Sequence, residues 1–577
     1  MSAIDREEPA LSARRPATVR LTGGAARALE VGRLRLMITG VVLALAFLTV
    51  GVRAIDVSIF RAGNEPDLAA AEAVAPPVGR ADIVDRNGIL LATSLPSASL
   101  YADPKLVLDA ENAAEDLLTV LPDLDRAKLI EDLTGERRFV WIRRGLTPDQ
   151  QYRINALGIP GLAFQTEDRR FYTTGPLMAH AVGFTDVDGR GLAGIELAMQ
   201  ERLTADPSPL RLSVDVRLQE IVKEELSRAI ETFDAIGGAG VVLDVDTGEV
   251  LAMVSLPDFD PYDAGDESDD GRFNRATLGV YEMGSTFKIF NTAMALDLGV
   301  TSLSGGYDAT HPIRVGRFTI RDFHPERRWL SVPEIMLHSS NIASVHMALD
   351  VGTQAQQDYL ARFGMTRRSP VELAEVGAPM VPSPWREVNT MTIAFGHGMA
   401  VSPMQLVSGV AAAVNGGTLH PATLLARDPA APAPGTRAIS EQSSEQMRRL
   451  MRLVVEEGTG RNASAEGYLV GGKTGTAEKA VPSGYDGDAR LSSFVSAFPM
   501  TRPQYVVFAI LDEPKGNEST YGYATGGWTA APVVRRVIER MGPLYGLPPV
   551  DEDAPEIREA LSIDIVPPGS RLASYSN

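Results

Sequence analysis

A serine and a lysine three residues apart, Ser285-Thr286-Phe287-Lys288, carry the first chemistry legible in this 577-residue chain. On a helix, positions i and i+3 share a face about one turn apart. A serine at a helix N-terminus meets the positive end of the helix dipole, which favours a developing alkoxide. A lysine beside it can take the serine proton, provided that its amine is neutral. Neutrality is demanding. A free lysine has a pKa near 10.4, and bringing it to about 7 needs roughly 4–5 kcal/mol of differential interaction. Burial and a second nearby cation can supply that, and Lys473 is available as the cation. The chain holds seven lysines against 48 arginines, so a lysine at 288 departs from a strong preference for arginine. Arginine cannot serve as a base at neutral pH. Taken alone, Ser-x-x-Lys is more simply a helix cap followed by a solvated lysine.

Two further motifs follow. Ser339-Ser340-Asn341 comes after an apolar helical pattern. A hydroxyl there can relay a proton between Lys288 and a leaving amine, and the Asn341 amide can bind a substrate carbonyl and hold Lys288 in place. By itself the triplet reads as a cap or loop. Lys473-Thr474-Gly475-Thr476 follows Gly471-Gly472. Glycine in a strand permits close backbone approach, so an extended peptide can pair with this edge. The backbone N–H groups of Ser285 and Thr476 would then form an oxyanion hole, and Lys473, Thr474 and Thr476 would hold a terminal carboxylate. The plain alternative is an edge strand guarded by a lysine.

The elements that must position these residues are legible in outline. Gly240–Val245 and Glu249–Ser255 read as a hairpin around Asp246-Thr247-Gly248. Phe494–Phe498 and Tyr505–Leu511 read as strands. Residues 213–233, 286–298, 333–351 and 403–414 read as helices, and 428–436 as a loop. This order predicts one antiparallel sheet built from both ends of a domain, with a helical insert. Residues 81–205 alternate short apolar runs with turn signals such as Asp85-Arg86-Asn87-Gly88, which predicts a separate α+β domain. Within it, Gly189-x-Gly191-x-x-Gly194 matches a dinucleotide fingerprint, but no strand precedes it, so it is read as a turn.

Composition narrows the function. A net charge of -19 argues against nucleic acid as a partner. The absence of cysteine excludes disulfides, zinc–thiolate sites and a cysteine nucleophile. The seven histidines show no HExxH and no paired ligand spacing, which argues against a catalytic metal. Leu36–Val52 is uncharged and apolar, about 26 Å as a helix, with Arg35 and Arg53 placed to snorkel. It is read as an uncleaved anchor rather than a signal peptide, with residues 1–35 cytoplasmic by the positive-inside rule. The chain thus divides into a tail (1–35), a transmembrane anchor (36–55), a linker (56–80), a pedestal (81–205), a larger domain (212–546) and an acidic, Pro-rich, loosely ordered tail (547–577).

Ser-x-x-Lys, Ser-x-Asn and Lys-Thr-Gly, in that order and 54 and 134 residues apart, resemble the motif set of the penicillin-binding transpeptidase and serine β-lactamase superfamily. The likeness covers nearly the whole chain. Arg80-Ala-Asp-Ile-Val-Asp-Arg-Asn-Gly88, His180-Ala-Val-Gly183, Gly191-Leu-Ala-Gly-Ile-Glu196, Leu212-Ser-Val-Asp215 and Gly396-His397-Gly398 resemble segments of class B penicillin-binding proteins. Met283, where the family often has proline, Ser496, where glycine is expected, and His397, often an aromatic, depart from it without removing a chemical group.

The resemblance implies an α+β transpeptidase fold behind a dimerisation-type pedestal and one transmembrane helix. It implies a serine-type D-Ala-D-Ala transpeptidase with Ser285 as nucleophile and Lys288, Ser339, Asn341 and Lys473 in the machinery. Thr474, Gly475 and Thr476 would bind substrate. Expected partners are peptidoglycan stem peptides, lipid-linked precursor strands, β-lactams as inhibitors, the membrane, a polytopic glycosyltransferase of the FtsW type and other division proteins. No cofactor is needed. The stretch Arg321–Asn341 looks most like the septal enzyme of cell division, in an inner membrane facing the periplasm. The alternatives are an elongation-type class B enzyme, a β-lactamase or D,D-carboxypeptidase, and a non-catalytic division scaffold. No ExxLN deacylation loop of the class A lactamase type is evident.

Overall fold

The computed structural model describes residues 23–55, 79–265, 269–316, 318–481, 484–563 and 565. Most of the expected cytoplasmic tail, nearly all of the linker and the end of the acidic tail lie outside them. The chain forms two units, residues 1–77 and 78–577.

In the first unit, Gly23–Ile55 is one helix. Its Leu34–Val52 stretch has a mean hydropathy of 2.1 and is long and apolar enough to cross a membrane. At 1.5 Å per residue, 19 residues span about 28 Å, close to a bilayer core of roughly 30 Å. Leu36 and Phe47 are each 74% exposed, which fits lipid as the missing solvent.

The second unit contains two five-stranded sheets. In the pedestal, Leu90–Ala102 pairs antiparallel with Val140–Leu146 on one side and Leu162–Tyr172 along its length. Ile83–Val84 joins it, and pairs parallel with Leu210–Arg211 from the far end of the domain. Asp186–Gly191 forms a tight turn closed by a Thr185–Gly191 bridge, so the glycine pattern there is a turn, as expected.

The larger sheet runs Gly471–Val481, Gly484–Phe498, Tyr505–Asp512, Gly237–Asp244, Val250–Leu256, every pair antiparallel. Both ends of the domain therefore supply one sheet. Along Tyr505–Asp512, Val506, Phe508 and Ile510 point into one core, and Val507, Ala509 and Leu511 into the other. This is the period of two of a strand buried on both faces. The second core is closed by the helices Val216–Thr232 and Ala531–Leu544. The first is closed by the helical insert, including Lys288–Asp297, Pro403–Val414 and Glu441–Glu456.

Two expectations need correction. Residues 333–351 are not one helix: Val332–His338 ends at Ser339, and Asn341–Val351 begins after Ser340. Residues after 547 are not loose up to 563. Pro555–Leu561 is a helix whose Leu561 is buried and whose Ile557 packs on the main core. The buried Arg452 draws Glu552 to 2.6 Å, which offsets the acidic composition.

Candidate active site

Ser285 lies in a 3₁₀ turn, Gly284–Phe287, that runs directly into the helix Lys288–Asp297. Gly284 adopts φ +54, and a Cβ there would sit 2.5 Å from the Thr476 carbonyl oxygen. A Cβ at Gly475 would lie 2.7 Å from the Met283 carbonyl oxygen. Glycine on both sides thus lets the serine turn abut the edge strand and places residues 285 and 476 side by side. Gly396, at φ +86, backs onto Gly284 in the same way and accepts its N–H at 3.2 Å.

The Lys288 amine lies 2.9 Å from Ser285 Oγ, 3.0 Å from Ser339 Oγ, 2.7 Å from the Ser339 carbonyl oxygen and 2.7 Å from Asn341 Oδ1. Lys473 Nζ lies 3.0 Å from Ser339 Oγ and 3.3 Å from Thr474 Oγ1. One hydroxyl, on Ser339, therefore bridges two lysines. Thr474 Oγ1 is also 3.0 Å from Thr459 Oγ1, and Thr476 Oγ1 accepts the Gly526 N–H at 3.2 Å. All eight residues singled out in the three motifs meet in one cluster.

Both lysines are fully buried. Burial first, and the Lys473 charge second, hold the Lys288 amine well below the ordinary lysine range, with Asp322 opposing them. Burial lowers Lys473 to about 7. Two buried amines joined through one hydroxyl favour one cation over two.

Ser339 adopts φ +57 and ψ +44, a left-handed conformation rare for a residue with a Cβ. It ends one helix by donating its N–H to Ile335, and Ser340 caps the next by accepting from the Ala343 N–H. This break turns Ser339 and Asn341 together onto Lys288. Asp322 was not singled out in the sequence. Its carboxylate accepts from Ser340 Oγ at 2.7 Å and from the backbone N–H groups of Asn341 and Ile342 at 2.5 and 2.9 Å. Only its place near the start of the Arg321–Asn341 stretch gave any signal.

Of the residues that depart from the family pattern, Met283 is buried in the main core and Ser496 donates its hydroxyl to the Val507 carbonyl within the sheet. His397 lies against Phe395, and burial lowers its pKa.

Residues 238–539 match the penicillin binding protein transpeptidase domain, and residues 75–231 match the penicillin-binding protein dimerisation domain. The chain is 41% identical over 481 residues to the probable peptidoglycan D,D-transpeptidase FtsI of Caulobacter vibrioides, covering 81% of this chain and 82% of that one. It is 30% identical over 538 residues to the peptidoglycan D,D-transpeptidase FtsI of Escherichia coli, covering 87% and 90%. The crystal structure of penicillin binding protein 3 from Mycobacterium tuberculosis superposes with a TM-score of 0.66 at 23% identity, over 85% of this chain and 99% of that one, a likeness of fold. Three motifs converging on a buried pair of lysines, carried behind a pedestal that matches in its own right, place this chain in the class B penicillin-binding proteins.

Proposed function

We propose that the protein is a membrane-anchored peptidoglycan D,D-transpeptidase of septal cell-wall synthesis, acting through an acyl-enzyme on Ser285. The observation that carries this is the buried Lys288 amine within 3.0 Å of the hydroxyls of Ser285 and Ser339. Ser285 Oγ attacks the carbonyl carbon between the two D-alanines of a stem peptide while Lys288 takes its proton. The backbone N–H groups of Ser285 and Thr476 face the oxyanion. The C–N bond breaks, and D-Ala leaves with a proton relayed through Ser339 from Lys288 or Lys473. An amine of a neighbouring stem peptide then attacks the ester, closing the crosslink and freeing Ser285. Thr474, Gly475 and Thr476 line the strand edge where the donor peptide pairs, with Lys473 facing its carboxylate. A β-lactam enters the same cleft and leaves Ser285 acylated.

The relatives named FtsI support the septal reading. On that reading the Leu34–Val52 helix anchors the protein with its larger unit in the periplasm, beside an FtsW-type glycosyltransferase and other division proteins.

Labelled penicillin tests the chemistry. The full-length protein should form a long-lived adduct that Ser285→Ala abolishes. Rapid turnover of the label would instead assign a β-lactamase or carboxypeptidase. Depletion in cells should produce filaments; round cells would assign the elongation role.

A further inference from the structure

We propose that Asp322 is a positioning residue for the acylation of Ser285: it clamps the Ser339–Asn341 turn against Lys288 from a hairpin outside the three motifs. The proposal rests on the function assigned to that cleft.

The hairpin is short. Ile313–Val315 pairs antiparallel with Phe318–Ile320, and Asp322 follows two residues later. Ile320 packs with Val345 and Met391 in a small satellite core, which Ile313, Val315 and Leu349 extend. Val345 stands one helical turn after Asn341, so the hairpin grips the helix Asn341–Val351 by an apolar contact and by a carboxylate. Asn341 and Ile342 supply two N–H groups that have no partner inside their own helix, and Asp322 Oδ1 accepts both. Oδ2 takes the Ser340 hydroxyl at 2.7 Å, and the neighbouring Arg321 carbonyl accepts from Asn341 Nδ2 at 3.0 Å. That bond fixes the amide flip, so Asn341 Oδ1 faces Lys288 at 2.7 Å.

Ser339 needs such a restraint. A non-glycine residue in the left-handed region persists only where its surroundings hold it. Its own side chain is committed to the two lysines, so the restraint comes from Ser340 and Asn341, the residues Asp322 holds.

The carboxylate acts twice, in opposite senses. As an acceptor it builds the base site. As a charge it favours the protonated Lys288, against burial and Lys473. Asp322→Asn keeps the Oδ1 acceptor of the Asn341 and Ile342 N–H groups, puts an amide donor where Oδ2 accepted the Ser340 hydroxyl, and removes the charge; Asp322→Ala removes both oxygens and the charge. The base works when neutral, so acylation rises as pH climbs through the Lys288 transition. Loss of a nearby negative charge lowers that transition further.

The test measures second-order acylation of the full-length protein by labelled penicillin across acid to neutral pH, with a thermal melt for each variant. We expect Asp322→Asn to move the acid limb to lower pH by about half to one pH unit, and Asp322→Ala to cut the plateau rate by about tenfold or more. A limb that stays in place in Asp322→Asn overturns the proposal, as does wild-type acylation by a folded Asp322→Ala. If the Ala variant does not fold, the Asn limb alone decides. Failure of the wild-type protein to acylate overturns the transpeptidase reading instead.

Discussion

Four acceptor-capable atoms surround Lys288 Nζ, and a neutral amine has two hydrogens and one lone pair. The Ser339 carbonyl and Asn341 Oδ1 can only accept, and at 2.7 Å each they take the two N–H groups. The lone pair then faces the Ser285 hydroxyl at 2.9 Å, the arrangement a proton acceptor needs. Lys473 adds a cost of its own to the fold. It is fully buried, and its folded pKa of about 7 lies below the unfolded value of 10.5. Between those values the unfolded chain binds a proton that the folded chain does not, so stability rises with pH across that window. Below about 7 the destabilisation is present in full, at ~1.36 kcal/mol for each pH unit that separates the two values. Lys473→Met should therefore melt above the wild type at neutral pH, the gap closing as pH approaches the unfolded value, while acylation falls. Thermal melts across that pH range check it. A variant that melts below the wild type at neutral pH would show that the Ser339 and Thr474 hydrogen bonds outweigh burial.

Among the elements, the serine turn is defined by what it leans on. A Cβ at Gly396 would lie 1.9 Å from the Gly284 carbonyl oxygen, whereas one at Gly398, at the comparable φ of +81, would meet only Thr392 Oγ1 at 2.9 Å. Gly396→Ala should lower penicillin acylation by about 10²-fold, since displacement of a reacting group by about 1 Å costs that much. Gly398→Ala carries similar backbone strain but presses only on a side chain, not on the serine turn's backbone, and should lose less. Equal losses in the two variants would mean that strain alone accounts for the effect. This packing explains what the sequence could and could not disclose. Three motifs were legible because each carries its chemistry on adjacent residues, and the sheet because its strands alternate or run apolar. The break at Ser339 was hidden, since a serine in the left-handed region leaves no mark such as glycine would. Asp322 was hidden because its partners sit at the start of a helix that begins 19 residues later, onto which its own hairpin folds back. The ordered helix after Pro555 was hidden by an acidic composition whose partner, Arg452, lies 100 residues earlier than Glu552.

At the scale of the larger unit, the segments at 80–88 and 191–196 matter because they lock pedestal and transpeptidase domains into one body. Arg80 and Arg170 both donate to the carboxylate of Glu196, which is fully buried, and Arg170 also holds the Arg80 and Ala81 carbonyls at 3.0 and 2.8 Å. Asp85 carries the connection onward, accepting from the Val216 N–H at the start of the helix Val216–Thr232. Tyr262 OH takes the Tyr172 N–H at 2.8 Å, and Glu375 the Gly194 N–H at 3.2 Å. Two guanidinium groups around one carboxylate tolerate burial only while the carboxylate remains, because an unpaired buried charge costs about 3–5 kcal/mol. Glu196→Ala should therefore loosen the pedestal by about that amount, well beyond the effect of an ordinary surface change. Glu196→Gln, which keeps one acceptor, should fall between it and the wild type. The expected signature is a separate low-temperature melting step with early proteolysis within residues 81–205. Penicillin should still acylate Ser285 below that step, because no hydrogen bond joins this triad to the Ser285–Lys288 cluster among the described residues. A single transition at the wild-type temperature would show that the apolar core shared by the two domains holds the pedestal in place and that the triad adds nothing to its stability.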